Sequence, residues 1–130
     1  MHDFIIICGY GHLGREVADL LDQDGQQVVI IDKDKTKIQM ARNKGFTVIH
    51  DDATKNGVLK NAGVQRCKNA ILSITGDDVV NVYITLTCRF LNPDLWIISR
   101  ANGHDNVKKL YQAGADRVLE PFGIIGLVAA

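Results

Sequence analysis

Six short apolar runs recur along the chain, and stretches with helical spacing of apolar residues separate them. The runs are continuous rather than alternating in polarity, which is typical of strands covered on both faces in a parallel sheet. Strict alternation of strand and helix predicts a doubly wound α/β domain with the strand order 3-2-1-4-5-6 and helices on both faces. The predicted strands are Phe4–Cys8, Val28–Ile31, Thr47–Ile49, Ala70–Ile74, Leu95–Ser99 and Arg117–Leu119.

Composition limits the class of protein. The 130 residues, 46% of them hydrophobic, suit one globular domain with a single core. Fifteen basic and fifteen acidic residues cancel, and no run of Lys or Arg stands out, so no nucleic-acid partner is expected. The apolar runs are too short to cross a bilayer and residues 1–3 lack the basic region of a signal peptide, so a cytosolic location is expected.

A glycine-rich turn follows the first predicted strand and opens the first predicted helix. Residues 9–14 read Gly-Tyr-Gly-His-Leu-Gly and fit the pattern GxGxxG of dinucleotide-binding turns. In such a turn Gly9 permits the tight bend, Gly11 lets the backbone approach a diphosphate, and Gly14 lets the helix pack on the strand. The amides at the helix start would hold the phosphate charge, and His12 is expected to point outward or to touch phosphate.

Asp32 follows the second predicted strand, eighteen residues after Gly14. Its carboxylate could accept hydrogen bonds from both hydroxyls of an adenosine ribose and would repel a 2′-phosphate, which favours NAD or an unphosphorylated adenine nucleotide over NADP. The neighbouring Lys33 weakens that selection. The alternative is that the glycines only shape a turn and that Asp32 only caps the following helix.

Polar residues also follow the other predicted strands, where ligands bind in open α/β sheets. Asp52 could reach an adenine amino group, Thr75 and Gly76 could line the phosphate side, and Arg100 could neutralise a phosphate. Helix capping is the alternative for Asp52, Thr54, Asp77 and Asp78, and it is favoured for Asp78. An ion pair is the alternative for Arg100, for which a ligand contact is favoured.

Catalytic groups are missing from this pattern. A nicotinamide enzyme needs a proton donor and a substrate site, usually on a second domain, and the four histidines are scattered. The sequence therefore predicts a sensor rather than an enzyme. Two alternatives stay open: the NAD-binding domain of a dehydrogenase without its catalytic domain, and a dimerisation module whose nucleotide site has lapsed.

The chain resembles the regulator-of-conductance-of-potassium (RCK) domain, the Trk-type nucleotide-binding domain of potassium channels and transporters. The resemblance runs from Phe4 to about Gly126 and rests on "IIICGYGHLGREVADLL", "VVIIDKDK", "DDAT" followed by "LKNAGV", "NVYITLTCRFLNPDLWIISRA" and "LYQAGADRVLEPFGIIG". It implies a Rossmann-like regulatory domain that forms a homodimer, assembles into a ring and gates a potassium pore at the inner face of the membrane.

The resemblance also implies ligands and contacts. Family ligands are NAD or NADH, AMP, ADP and ATP, and in some members a divalent cation, for which Glu120 and the Asp51/Asp52 pair are the candidates here although solvated carboxylates are favoured. Together with the strand-end analysis, it gives as candidate nucleotide contacts Gly9, Tyr10, Gly11, His12, Leu13, Gly14, Asp32, Lys33, Asp52, Ala53, Thr54, Thr75, Gly76 and Arg100.

One residue departs from the family pattern, and one segment extends beyond the nucleotide-binding domain. Asp51 stands where the family often has glycine, which adds charge beside the adenine pocket. Residues 1–121 are expected to form the nucleotide-binding domain, and the apolar residues 122–130 the start of a crossover helix that pairs two protomers.

Overall fold

A computed structural model describes residues 3–121. Their six strands form one parallel sheet with the order β3-β2-β1-β4-β5-β6. This confirms the predicted strand order and the doubly wound architecture. The strands are β1 (Phe4–Cys8), β2 (Gln27–Asp32), β3 (Thr47–His50), β4 (Ala70–Ser73), β5 (Trp96–Arg100) and β6 (Arg117–Leu119). The helices are α1 (His12–Gln23), α2 (Lys35–Asn43), α3 (Val58–Asn61), α4 (Asp78–Leu91) and α5 (Val107–Ala113), with 3-10 turns at Val64–Arg66 and His104–Asn106.

The sheet is buried on both faces, as its continuous apolar strands require. Along the central strand β1, Ile5 and Ile7 point into the layer that α1 and α2 cover, and Ile6 and Cys8 point into the opposite layer. Successive residues of a strand face opposite sides, so one short run supplies both cores. All four side chains are at most 5% exposed.

Several element bounds differ from the sequence prediction. Strand β2 extends to Asp32 and β5 extends to Arg100, so both residues are the last of their strands. The third helix is only four residues long and is followed by a separate 3-10 turn. Gly57 precedes the third helix with φ of +85°, and Gly63 precedes the 3-10 turn with φ of +93°. This left-handed conformation interrupts a continuous helix.

Residues 122–130, predicted to begin a crossover helix, lie outside the described residues. Among the helices of residues 3–121, none combines the length and the apolar character that a membrane span requires.

Candidate functional site

A pocket opens where strands β1 to β5 end, on both sides of the point where the strand order reverses. Its volume is about 390 Å³. This is the position at which open α/β sheets bind ligands. The predicted site residues that line it are Gly9, Gly11, Asp32, Lys33, Asp52, Ala53, Thr75, Gly76 and Arg100.

The glycine turn joins β1 to α1 at the pocket. Gly9 has φ of +108° and lies against Ile74 and Thr75, and a Cβ added to Gly14 would overlap the carbonyl oxygen of Gly9. Gly11 differs, because it has extended backbone and a Cβ there would have no atom within 4 Å. The first and third glycines are therefore required by the turn itself, whereas the turn leaves space beside Gly11.

Asp32 is tied to the backbone on both sides. Its Oδ2 accepts a hydrogen bond from the N–H of Tyr10 (2.8 Å), and its Oδ1 accepts one from the N–H of Asp34 (2.8 Å). The cap of α2 is Asp34, whose Oδ1 accepts from Thr36 and Lys37. The hypothesis that Asp32 caps this helix is therefore wrong, and its carboxylate is held at the pocket rim with a lone pair left on each oxygen.

Asp52 forms a turn with the residue two positions on. Its Oδ1 accepts from both the backbone N–H (2.9 Å) and the hydroxyl (2.6 Å) of Thr54, and these bonds hold the pKa of Asp52 below its usual range. Helix α3 begins six residues later, with Gly57 at its N-cap, so neither Asp52 nor Thr54 caps it. Asp51 also lines the pocket and pairs with Lys55 at 3.6 Å.

Asp77, rather than Asp78, caps α4. The Oδ1 of Asp77 accepts from the N–H groups of Val79 (2.9 Å) and Val80 (3.3 Å), so the favoured prediction for Asp78 is wrong. Asp78 instead accepts hydrogen bonds from the loop that follows β5, at Asn102, Gly103 and Asn106. Burial alone would raise the pKa of Asp78, but these hydrogen bonds outweigh it and hold the pKa below its usual range.

Arg100 brings a cation to the pocket from the last position of β5. Within residues 3–121 it forms no ion pair, and its Nε is a buried nitrogen without a hydrogen-bond partner. A buried donor without an acceptor costs free energy, and such atoms commonly meet a ligand or water. The ion-pair alternative is therefore not what the described residues form.

Five predicted residues lie beside the pocket and not in its lining. The Tyr10 ring packs edge to face on Phe46, and the Leu13 side chain packs in the same core layer. The His12 side chain is 82% exposed and lies 3.2 Å from Glu16, so it points outward, one of its two expected orientations. Gly14 lies beneath the turn, and Thr54 bonds Asp52.

Other lining residues were not predicted as contacts. Lys37 comes from the first turn of α2, which the position of that helix after Asp34 could have indicated. Cys8, Ile31, Ile74, Val80 and Ile84 add apolar surface, and Asp77 lies at the rim. Burial, with a smaller effect from Cys88, raises the pKa of the Cys8 thiol well above its ordinary value, so Cys8 is a neutral apolar group here. In the sequence, the apolar character of these five residues indicated only a role in the core.

The carboxylates considered for a divalent cation have separate partners in the structure. Glu120 lies 2.8 Å from His104 Nδ1, and this hydrogen bond raises the pKa of His104. Glu120 does not line the pocket with Asp51 and Asp52. Among residues 3–121, no three His, Cys, Asp or Glu side chains form a group that could hold a metal ion.

Comparison with known proteins identifies relatives over nearly the whole chain. A family model described as the TrkA-N domain matches residues 5–121. Potassium channel protein 1 of Methanocaldococcus jannaschii is 35% identical over 132 residues, covering 100% of this chain and 39% of that protein. The glutathione-regulated potassium-efflux protein KefC of Escherichia coli is 31% identical over 113 residues, covering 87% of this chain and 18% of that protein. The chain thus spans less than two-fifths of the length of these curated relatives.

Solved structures share the same architecture. The TrkA-N domain of the inner membrane protein YbaL from Escherichia coli superposes with a TM-score of 0.86 at 22% identity, covering 93% of this chain and 89% of that one, which shows the fold alone. The GsuK channel bound to NAD gives 0.84 at 33% identity, with 98% and 22% covered. GsuK bound to ADP gives 0.80 at 36% identity, with 92% and 31% covered.

Proposed function

This chain belongs to the TrkA-N domain family, and from that premise we propose that it is a regulatory domain that binds an adenine nucleotide and controls a potassium channel or transporter. The relatives named for potassium transport and the GsuK structures named for NAD and ADP support both parts of this proposal. The observation that carries it is the pocket at the sheet's switch point, which is lined by the open Gly11, by the fixed carboxylate of Asp32 and by Arg100, which forms no ion pair within residues 3–121.

Each of these groups suits one part of a nucleotide. The free side of Gly11 gives a phosphate room to approach the helix N-terminus, where backbone N–H groups and the helix dipole favour negative charge. Arg100 supplies further donors for a phosphate, and its buried Nε has no acceptor among the described residues. Asp32 is already oriented by Tyr10 and Asp34 to accept ribose hydroxyls.

The charges around the pocket favour an unphosphorylated ribose. Asp32, Asp51 and Asp52 all line the side at which β2 and β3 end, and they would repel a 2′-phosphate. Lys33 and Lys37 line the same side and reduce that repulsion. We expect NAD, ADP or AMP to bind more tightly than NADPH.

A Gly11→Ala variant tests the nucleotide site. Because nothing lies within 4 Å of the added Cβ and the backbone is extended, we expect the melting temperature to stay within about 2 °C of the wild type. The methyl group would occupy the approach path of the phosphate, so ADP and NAD affinity measured by calorimetry should fall by on the order of tenfold or more.

Gly25→Ala is unsuitable as a control because Gly25 has φ of +79°, so the wild type serves for comparison. Asp32→Ala is also less decisive, since it removes the acceptors of two backbone N–H groups as well as the ribose contact. Unchanged ADP and NAD affinity in Gly11→Ala would contradict the assignment of this turn to the phosphates.

Regulation in this proposal works through pairing of domains. A nucleotide that binds one arrangement of paired domains more tightly shifts the population toward that arrangement, whereas equal affinity for both would shift nothing. Residues 1–121 would form the nucleotide-binding domain at the inner face of the membrane, and residues 122–130 would start the crossover helix of a homodimer. A ring of such dimers needs a second interface.

The outer face of α4 suits that second interface. Val79, Tyr83, Leu86 and Phe90 are 79%, 45%, 53% and 85% exposed and follow one another at helical spacing, with no charged residue among them. A contiguous exposed apolar surface marks an interaction site more often than scattered apolar residues do. We propose that this face, called the α4 stripe, contacts a second copy of the chain.

Replacing two residues of the α4 stripe tests the assembly. The double variant Leu86→Gln/Phe90→Gln should shift sedimentation equilibrium toward smaller species, because about 25 cal/mol is lost for each Å² of apolar surface no longer buried. Leu20→Gln, at a residue 65% exposed on α1, is the matched control and should sediment like the wild type. Identical distributions for all three proteins would show that the α4 stripe is not an assembly surface.

A further inference from the structure

Asn81 lies at the centre of a buried polar network beneath the pocket. The residue belongs to α4, is 0% exposed and does not itself line the pocket. Ser73, Thr85 and Ser99, also 0% exposed, complete the network. Buried polar side chains are costly unless hydrogen bonded, so the direction of each bond shows what the network holds.

The carboxamide of Asn81 binds the ends of two adjacent strands. Its Oδ1 accepts from the backbone N–H (3.0 Å) and the hydroxyl (2.7 Å) of Thr75, after β4. Its Nδ2 donates to the carbonyl of Thr75 (3.0 Å) and to the carbonyl of Arg100 (3.0 Å), at the end of β5. The backbone groups are fixed donors and acceptors, so only one orientation of the amide satisfies them.

We infer that Asn81 is a positioning residue of the nucleotide site, whose buried amide fixes Thr75 and Arg100 relative to each other on the phosphate side of the pocket. This inference rests on the nucleotide site proposed above. Both bonded residues line the pocket, and Asn81 is the one side chain within residues 3–121 that bonds the backbone of both. Ordered partners beneath the site lower the free-energy cost of arranging donors when a ligand binds.

Asn81 also sets the polarity of the Thr75 hydroxyl. That hydroxyl has one hydrogen, and the carboxamide oxygen of Asn81 at 2.7 Å is a closer acceptor than the carbonyl of Asp77 at 3.1 Å. The hydroxyl oxygen in turn accepts from the N–H of Asp77 (3.2 Å). Thr75 therefore presents an acceptor rather than a donor to the pocket, and the phosphate must be held by Arg100 and backbone N–H groups.

Comparing ADP with adenosine separates positioning from general stability. The wild type is measured first, and failure to bind ADP, AMP and NAD alike would overturn the proposed function itself. In Asn81→Leu, which removes the amide at similar volume, ADP affinity should fall about tenfold because the phosphate donors are displaced. Adenosine, which has no phosphate, should bind within about twofold of wild type.

Thr85→Val is the matched control. Thr85 lies one helical turn further along α4, is equally buried, and bonds the carbonyl of Asn81 (2.7 Å) and the hydroxyl of Ser99 (2.6 Å) without touching the pocket. Its variant should lose stability in thermal unfolding but keep the wild-type ratio of ADP to adenosine affinity. Asn81→Asp, which keeps the acceptor oxygen but turns a second oxygen toward two carbonyls, repeats the test if Asn81→Leu does not fold.

Two outcomes would overturn the inference while the proposed function stands. One is wild-type ADP affinity in the folded Asn81 variant, with only the melting temperature lowered. The other is an equal loss of ADP and adenosine affinity, which would show a general collapse of the pocket rather than a displaced phosphate side.

Discussion

Replacing Gly14 by alanine is expected to destabilise the domain by on the order of 3 kcal/mol, despite the better helix propensity of alanine. The added Cβ would overlap the carbonyl oxygen of Gly9, which belongs to the backbone of the turn and cannot rotate away. Gly9 itself is confined, because its φ is +108° and a Cβ added to it would lie 3.0 Å from backbone atoms of Ile74 and Thr75. The helix would have to move off the sheet, and both denaturant and thermal unfolding would measure the cost.

Gly11→Ala is the comparison for this effect, since it adds the same methyl group three residues earlier into open space. Its free energy of unfolding should match that of the wild type within about 0.5 kcal/mol. If Gly14→Ala were as stable as Gly11→Ala, the close contact between α1 and the turn would not exist in solution.

Replacing Arg89 by methionine should also cost on the order of 3 kcal/mol, because the change removes the charged donor from several partly buried carbonyls and from the Asp116 carboxylate, which keeps only the N–H of Ile97 on that oxygen. The guanidinium donates to the carbonyls of Gly114 (2.7 Å), Pro93 (2.8 Å) and Leu95 (2.7 Å) and to Oδ2 of Asp116 (2.8 Å). The side chains of Arg89 and Asp116 are 26% and 31% exposed, so water replaces these donors only in part. Methionine keeps the apolar stem and isolates the loss of the charged group.

Arg117→Met is the matched control for Arg89→Met. Arg117 lies on the exposed edge strand, with its guanidinium 5.5 Å from the ring centre of Trp96. An exposed contact of this kind contributes about 0.5–1 kcal/mol. Urea unfolding of the two variants should therefore differ clearly, and equal midpoints would contradict the role of Arg89 in joining α4 to the turn before β6.

The glycine turn and Asp32 show how much of the site the sequence could predict. Their spacing depends on a local strand–turn–helix unit, and the parallel sheet brings the ends of its strands to one edge whatever the details of packing. Nine of the predicted residues do line one pocket. Whether they contact a nucleotide stays a prediction that calorimetry must test.

Asp77 and Asp78 show where the sequence was insufficient. Both are good capping residues by type. The choice between them depends on the loop after β5, because Asn102, Gly103 and Asn106 donate hydrogen bonds to Asp78 and Asp77 caps the helix instead. These partners are 24 to 28 residues away in the chain. No local pattern carries that information.

By itself, the sequence determined the doubly wound sheet and the position of its switch point, because apolar periodicity and glycine spacing act over a few residues. Only the tertiary structure decided that Gly11 faces open space, that the buried Nε of Arg100 meets no acceptor within residues 3–121, and that Asn81 bonds the ends of β4 and β5. Each of these depends on groups that the fold brings together, and the distances from Asn81 to Thr75 and Arg100 are fixed only when α4 packs against the strands.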